Sequence, residues 1–373
     1  MDSPKPSMDE RLVQLLHHRS HGLNRGDPIS PPIHQTSAFY LPDDPKDGDY
    51  SYTREANPTW TAVEAQISIL EAAPAIVFPS GMAAIAAILY TQLRPGDRLI
   101  MPSDGYYGVR AFAEQALRPI DIEVTYVPTP EFGNTHFDGA RLVWIETPSN
   151  PGLDVCDIAD VVARAKAAGA MVAADNTTLT PLLQQPLDMG VDAVAVSDTK
   201  AMSGHGDLLF GHAASRDKDI MAQVETWRRY AGAIPGPAEA ALVYRGIETL
   251  EVRLQRMCAN AMDIAHQLKN HIAVKSVRYP GLVDDPSHTL MKTQATAFGF
   301  IIGFTLASKA AAEAFIAASE VTCSATSFGS VHSSAERRAR WGEDVAEGFI
   351  RLSVGCEPAG QLWDGIEAAL KAV

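Results

Sequence analysis

Ser197, Thr199 and Lys200 stand together in Ser197-Asp198-Thr199-Lys200, directly behind the apolar run Asp192–Val196. In an extended segment, residues two apart face the same side. Two hydroxyls therefore share a face, and an amine follows at once. Hydroxyl donors for a phosphate beside one lysine are what an aldehyde cofactor carried as a Schiff base requires. A desolvated lysine among cations has a lowered pKa, hence a free amine able to attack an aldehyde. A solvated surface lysine is the ordinary alternative. The glycine-rich sequel Ser203-Gly204-His205-Gly206-Asp207 reads as loop rather than surface helix and favours the chemical reading.

Other groups suited to chemistry also follow apolar runs. Behind Ala75–Phe78 comes Pro79-Ser80-Gly81-Met82, leading into a helical pattern. Free N–H groups, a hydroxyl and a glycine at a helix start suit a phosphate, although an ordinary capping serine has the same pattern. Behind Leu142–Ile145 comes Glu146-Thr-Pro-Ser-Asn150-Pro151, and behind Met171–Ala174 comes Asp175-Asn176-Thr177. An acid at a strand end, in a crevice of low dielectric, would hold a protonated ring nitrogen well. It could equally cap the next helix.

These groups need a scaffold that gathers strand ends. Ala75–Phe78, Arg98–Met101, Ile122–Val127, Leu142–Ile145, Met171–Ala174 and Asp192–Val196 read as strands. Helical patterns lie between several of them, such as Ile158, Val161, Val162 and Ala165. Near-continuous apolar strands alternating with helices predict an α/β fold with a mostly parallel, doubly wound sheet, whose ligands sit beyond the strand carboxyl ends. Asn57 as cap and Pro58 at the first helical position open a helix carrying Trp60, Val63, Ile67 and Leu70. Residues 1–56 read as an extended arm, 57–240 as the large domain and 241–373 as a smaller C-terminal α/β domain. After the bend Ala231–Pro237, one long helical stretch is expected to about Lys269; Ser276–Tyr279, Phe298–Leu306 and Ile350–Val354 follow as strands.

With 31 basic and 45 acidic residues the net charge is -14, which opposes non-specific binding to nucleic acid or an anionic membrane. The four cysteines form no CxxC pair, which points to a reducing, cytoplasmic setting without a structural zinc. Ala72–Leu93 carries no charge, but Pro74, Pro79, Ser80 and Gly81 interrupt it. It reads as strand, turn and helix, not as a membrane span. The start of the chain carries Asp2, Asp9 and Glu10 without an apolar core and does not resemble a signal peptide. His17, His18 and His21 read as solvated, with no metal expected, and Arg337-Arg338-Ala-Arg340 as a surface face. Met221 and Met257 need no role beyond packing.

Six motifs, Tyr52-Thr-Arg54-Glu-Ala-Asn-Pro-Thr59, Pro79-Ser-Gly-Met-Ala-Ala84, Glu146-Thr-Pro-Ser-Asn-Pro151, Asp175-Asn-Thr177, Ser197-Asp-Thr-Lys200 and Arg351-Leu-Ser-Val-Gly355, occur in this order. Together they resemble the Cys/Met-metabolism family of pyridoxal-phosphate (PLP) enzymes, from about Pro31 to the C-terminus. The resemblance implies fold type I with Lys200 as Schiff-base lysine and Asp175 as partner of the pyridinium nitrogen. Tyr107 would stack on the cofactor ring and relay protons. Ser80, Gly81, Met82, Ser197 and Thr199 would cradle the phosphate. Tyr52 and Arg54 would reach the phosphate of a neighbouring subunit, which implies an obligate dimer unit, usually paired into a tetramer. Asn150, Ser333 and Arg351 would lie on the substrate side, Arg351 gripping the α-carboxylate.

The sequence departs from the family pattern at Ala201, at Gly206, at Val109-Arg110 and at His332. The resemblance implies a lyase that eliminates a thiol from a sulfur amino acid. The expected reaction is α,γ-elimination of L-cystathionine to cysteine, 2-oxobutyrate and ammonia. β-Elimination of cystathionine, γ-elimination of methionine and γ-replacement are the alternatives. A neutral His332 can accept a hydrogen bond from a distal substrate ammonium, whereas a protonated one repels it.

Overall fold

A computed structural model describes residues 6–42, 44 and 48–373, with only the backbone of His21. Part of the leader reading, including Asp2, therefore lies outside the described residues. The first element among the described residues is α1 (Met8–His17), where an arm without regular structure was expected. Ser7 and Glu10 form a reciprocal capping box there, which explains a helix in a segment with weak apolar periodicity. Leu15 and Arg11 are its buried contacts. His18 Nδ1 donates to Leu15 O (2.7 Å), and the ring lies against that of Tyr244.

Helix α2 (Pro58–Glu71) starts as its sequence predicts: Asn57 Oδ1 accepts from the Thr59 N–H at 2.9 Å, and Trp60, Val63, Ile67 and Leu70 are buried. Then follow β1 (Ala75–Phe78), α3 (Gly81–Gln92), β2 (Arg98–Pro102), α4 (Tyr107–Phe112), β3 (Glu123–Val127), β4 (Leu142–Glu146), α5 (Ile158–Ala167), β5 (Met171–Asp175), α6 (Thr180–Leu183), β6 (Ala193–Val196) and β7 (Gly211–Ala214). The uncharged stretch Ala72–Leu93 thus becomes a buried strand, a turn and a helix, and no described helix is long and apolar enough to cross a membrane.

These strands make a seven-stranded sheet of order β1-β7-β6-β5-β4-β2-β3, parallel except for β7. β7 was not legible in the sequence. Gly-His-Ala-Ala has no β-branched residue and no alternation, and its burial comes from pairing with β1 and β6 on both sides. Helix α5 buries Ile158, Val161, Val162 and Ala165, the four positions its periodicity marks. One core lies on the α2 and α5 face of the sheet; another, with Ile85, Ile88 and Leu89 of α3 and Val224 of α7 (Lys218–Ala231), lies on the opposite face. Met221 and Met257 are buried within these cores.

The expected long helix is two helices, α8 (Pro237–Ile247) and α9 (Leu250–Lys269). Near the break, Arg253 enters the core and donates to the carbonyls of Ala201, Met202 and Gly246. After α9 come β8 (Ser276–Arg278), α10 (His288–Gln294), β9 (Ile301–Thr305), α11 (Lys309–Ala318), β10 (Cys323–Ser324), β11 (Ser334–Arg337), β12 (Phe349–Ser353) and α12 (Ala359–Leu370). The second sheet has order β10-β11-β12-β9-β8 and is antiparallel except for β10 beside β11. Its centre, β12, carries Arg351 to the loop that follows β4.

Candidate active site

The carboxyl ends of the parallel strands open into a cavity of about 410 Å³. Ser80, Gly81, Met82, Tyr107, Asn150, Asp175, Ser197, Thr199, Lys200 and Arg351, all singled out in the sequence, line it. Lys200 Nζ donates to Ser327 Oγ at 3.0 Å and lies 5.4 Å from the centre of the Phe328 ring. Burial and then the nearby Arg351 charge lower its pKa to about 8, against the pull of Asp175. A fraction of the amine is therefore neutral near pH 7, as a nucleophile or base needs to be.

The phosphate-sized end of the cavity is built by close backbone approach. Ser80 caps α3, its Oγ accepting from the Ala83 N–H at 3.1 Å. The N–H groups of Gly81 and Met82, first in the helix, have no intrahelical acceptor. A Cβ on Gly81 would stand 2.5 Å from Ser197 Cβ, so a side chain there would fill the gap between helix start and loop. Ser197 and Thr199 complete the wall; Thr199 Oγ1 also donates to Phe210 O (3.1 Å) and accepts from Phe210 N (2.9 Å). Two N–H groups at a helix start, beside hydroxyls and a lysine, are a donor set that fits a phosphorylated aldehyde.

At the opposite wall, Glu146 and Asp175 are register partners at the ends of β4 and β5, and both are buried. Asp175 Oδ1 accepts from the Thr177 N–H at 2.9 Å, and Glu146 Oε2 from the Tyr106 N–H at 2.6 Å. Burial, and then the charge of Asp175, push Glu146 well above the usual carboxylate range. Burial also raises Asp175, opposed by its Thr177 bonds and by Lys200. A cationic ring nitrogen at Asp175 would relieve that cost. Glu146 holds the Tyr106–Tyr107 turn by its backbone, a role the sequence reading did not assign. The Tyr106 and Tyr107 rings meet edge-on, 4.9 Å between centres, with Tyr107 turned to the opening.

Arg351 is 3% exposed and points into this cavity from β12. Its Nη1 donates to Asn150 Oδ1 at 2.7 Å, and its Nη2 to Ser327 O and Glu336 Oε2, each at 3.1 Å. Glu336 also accepts from Arg338 (2.5 Å), Arg340 (2.7 Å) and Trp341 Nε1 (2.7 Å). Burial alone would raise its pKa, but the Trp341 and Arg340 bonds and the Arg338 and Arg351 charges hold it down at about 2. Arg338 is fastened by both oxygens of Glu343 and lines the cavity. The expectation of a basic surface face at 337–340 is therefore corrected: Arg337 and Arg338 are buried, each facing carboxylates, and only Arg340 reaches the surface.

Ser333 is also a correction. It is 1% exposed and outside the cavity, donating to Glu357 Oε2 and accepting from the Gly355 N–H, both at 2.9 Å. The hydroxyl that does reach Lys200 is Ser327, six positions earlier, whose φ of 85° lies in the left-handed region. The hydroxyl–aromatic–glycine run Thr326-Ser327-Phe328-Gly329 was its available sequence signal. His332 lines an adjoining cavity of about 690 Å³, which shares Thr199, Leu209, Thr326, Ser327 and Phe328 with the first and also carries Asp207 and Glu239. Ser330 Oγ and His332 Nδ1 are 3.1 Å apart. Tyr52 and Arg54 lie outside both cavities, exposed on the arm, with Arg54 Nη1 donating to Arg229 O at 3.1 Å.

The family profile of Cys/Met metabolism PLP-dependent enzymes matches residues 13–371. A Streptomyces coelicolor protein named "Putative cystathionine gamma-lyase" is 49% identical over 331 residues, 87% of this chain and 84% of its own. Cystathionine beta-lyase MetC of Bacillus subtilis is 36% identical over 97% of this chain and 96% of its own. The crystal structure of cystathionine gamma synthase from Xanthomonas oryzae pv. oryzae in complex with cystathionine superposes with a TM-score of 0.93, at 31% identity over 99% of each chain.

Proposed function

The chain belongs to the Cys/Met metabolism PLP-dependent enzymes, and from that premise we propose that it is a carbon–sulfur lyase performing α,γ-elimination on L-cystathionine. The observation that carries the choice of substrate is the paired cavity. The Lys200 chamber suits one amino-acid end, and the adjoining chamber offers Asp207, Glu239 and His332 to a second, distal ammonium. A substrate with a single amino-acid head, such as methionine, would leave those acids unused.

PLP, when bound, supplies an aldehyde for the substrate amine and a ring that accepts electron density. Asp175 would face its ring nitrogen; Ser80, Gly81, Met82, Ser197 and Thr199 would hold its phosphate. Arg351, set by Asn150 and Glu336, would take the α-carboxylate through charge-assisted bonds. Lys200 Nζ would take the proton from Cα, hand it on to the cofactor-bound substrate and, neutral again, take one from Cβ. The Cγ–S bond breaks, the leaving sulfur takes a proton with help from Tyr107 Oη, and cysteine departs. Water then releases 2-oxobutyrate and ammonia, so that cystathionine and one water balance the three products. Tyr52 and Arg54 would complete the phosphate site of a second subunit, in a dimer of dimers. The unpaired cysteines suit a cytoplasmic enzyme.

Pure holoenzyme incubated with L-cystathionine should yield 2-oxobutyrate and cysteine. Pyruvate with homocysteine would instead mean β-elimination. A replacement product formed only when O-acyl-homoserine and a thiol are supplied would mean a γ-replacement transferase.

A further inference from the structure

Three ionisable side chains are enclosed beneath the Lys200 loop, and the proposed chemistry uses none of them. His212 in β7, Glu71 in the last turn of α2 and Asp198 in the Ser197–Lys200 segment are each 0% exposed. His212 Nδ1 lies 2.8 and 3.0 Å from the two Asp198 carboxylate oxygens, and Nε2 lies 3.1 Å from Glu71 Oε1. A ring with a carboxylate at each nitrogen donates at both and is an imidazolium. Its strand neighbours, Val77 of β1 and Val196 of β6, are aliphatic, and α3, which packs on β7, carries no Asp, Glu, Lys, Arg or His. Glu71 and Asp198 are the charged groups that act on it; Glu64, on the same helix as Glu71, is turned to Arg228 and to the Val77 N–H. Glu71 Oε2 finds no hydrogen-bond partner among the described residues, so Glu71 depends on His212.

A buried ionic triad is a poor source of net stability compared with apolar packing. Its location suggests what it does. Asp198 stands between the two hydroxyls of the phosphate wall and two positions before Lys200. Ser197 and Thr199 line the cavity, while the Asp198 side chain between them points into the core. The surrounding turn is held by Thr199 N to Phe210 O at 3.1 Å, Lys200 N to Ser197 O at 3.0 Å and Ser203 N to Asp198 O at 2.9 Å. Those bonds fix the path of the turn, and the clamp at Asp198 fixes its rotation toward the cavity.

We propose that His212 is a positioning residue for the cofactor: by bridging Asp198 to Glu71 it fixes the Ser197–Lys200 turn, and with it the phosphate hydroxyls and the lysine. This rests on the reading of the Lys200 cavity as the PLP site. Burial disfavours the charged ring, but Asp198 and then Glu71 outweigh it and push its pKa up to about 10. The shift is upward, so the clamp is intact at neutral pH and is lost as pH rises through that value. Removing the Asp198 charge should bring the loss down toward neutral pH.

Apoprotein titrated with PLP, followed by cofactor absorbance and protein fluorescence, tests this without relying on turnover. Asp198→Ala should bind PLP about tenfold more weakly than wild type near pH 7, with unchanged far-UV circular dichroism. Asp198→Asn keeps the shape and should bind almost normally near pH 7, but fall about tenfold behind wild type near pH 9, where the ring is no longer held charged. The variant-to-wild-type ratio removes the shared titration of Lys200. If Asp198→Ala does not fold, the Asp198→Asn profile decides. A ratio near one at every pH, with only a lowered melting temperature, would reduce the triad to a structural element and overturn the proposal. Failure of the wild-type apoprotein to bind PLP would strike the cofactor site itself, and the proposal with it.

Discussion

Arg351 enters the cavity wall with part of its fork already committed to Asn150, Ser327 and Glu336, so a substrate carboxylate would meet an oriented guanidinium. Burial first, and the Arg338 charge second, lower its pKa to about 10, which still leaves it cationic at neutral pH. A charge-assisted carboxylate contact is worth roughly 1.5–3 kcal/mol, so Arg351→Ala should lose about ten- to a hundredfold or more in kcat/KM. Lysine in its place should recover only part, having a point charge and no fork. Cofactor absorbance should stay normal in both variants, because Arg351 is placed on the substrate side. Glu336 would keep Arg338, Arg340 and Trp341 after the change, so the surrounding strand should hold. Substrate saturation unchanged in Arg351→Ala would remove the carboxylate role. At this scale the sequence singled out Arg351 and Asn150, which both line the cavity, yet it could not see that they touch across 201 positions.

The start of α3 works as a wedge between the loop after β6 and the strand β7. Gly81 faces Ser197, and a Cβ on Gly211 would lie 2.6 Å from Gly81 Cα. Neither contact leaves room for a methyl group, and both involve backbone atoms that cannot rotate away. Gly81→Ala should therefore destabilise the protein by about 1–3 kcal/mol and weaken PLP binding as the cradle widens. Thermal melts and PLP titration of the same sample would measure both effects. Gly360→Ala, in the first turn of α12 with nothing within 4 Å, is the control and should be neutral or slightly stabilising. Normal PLP affinity in Gly81→Ala would show that the close approach is not part of the cradle. Elements with local signatures were legible in advance: the Asn57–Pro58 start of α2, the buried stripe of α5 and the apolar parallel strands. The missed β7 and β11 had none, because glycine, alanine, serine and charged side chains became strand residues only through their neighbours.

Across the whole molecule, Tyr52 and Arg54 are exposed on the arm and do not line the cavity of their own chain. Tyr40 is 89% and Ile29 85% exposed on the same arm, an arrangement that suits contact with a second copy. If each active site takes its arm from the neighbouring subunit, an inactive Arg54→Ala chain mixed with an inactive Lys200→Ala chain should recover activity. In such a hybrid one site contains both groups. Recovery should approach a quarter of wild-type activity, since about half the dimers in an equal mixture are hybrids with one complete site out of two. Verified mixed oligomers without recovery would mean that the arm serves its own chain. Turnover by Lys200→Ala alone near the wild-type rate would sink the assignment of the lysine.

By itself the sequence determined the parallel α/β scaffold, the family and the set of residues gathered at the strand ends. Those features depend on short-range periodicity, caps and motifs whose members lie close together in the chain. The tertiary structure decided what depends on how distant segments fold back. It placed Ser327, and not Ser333, in the wall of the cavity, because the backbone turns through left-handed conformations at Ser327 and Gly329 before entering β11. It also took Arg337 and Arg338, expected at the surface, into the interior and placed Arg338 in the wall of the cavity. Arg338 could enter the interior only because Glu336 and Glu343 meet its guanidinium there, and a charge pattern alone does not say whether its partners are water or carboxylates.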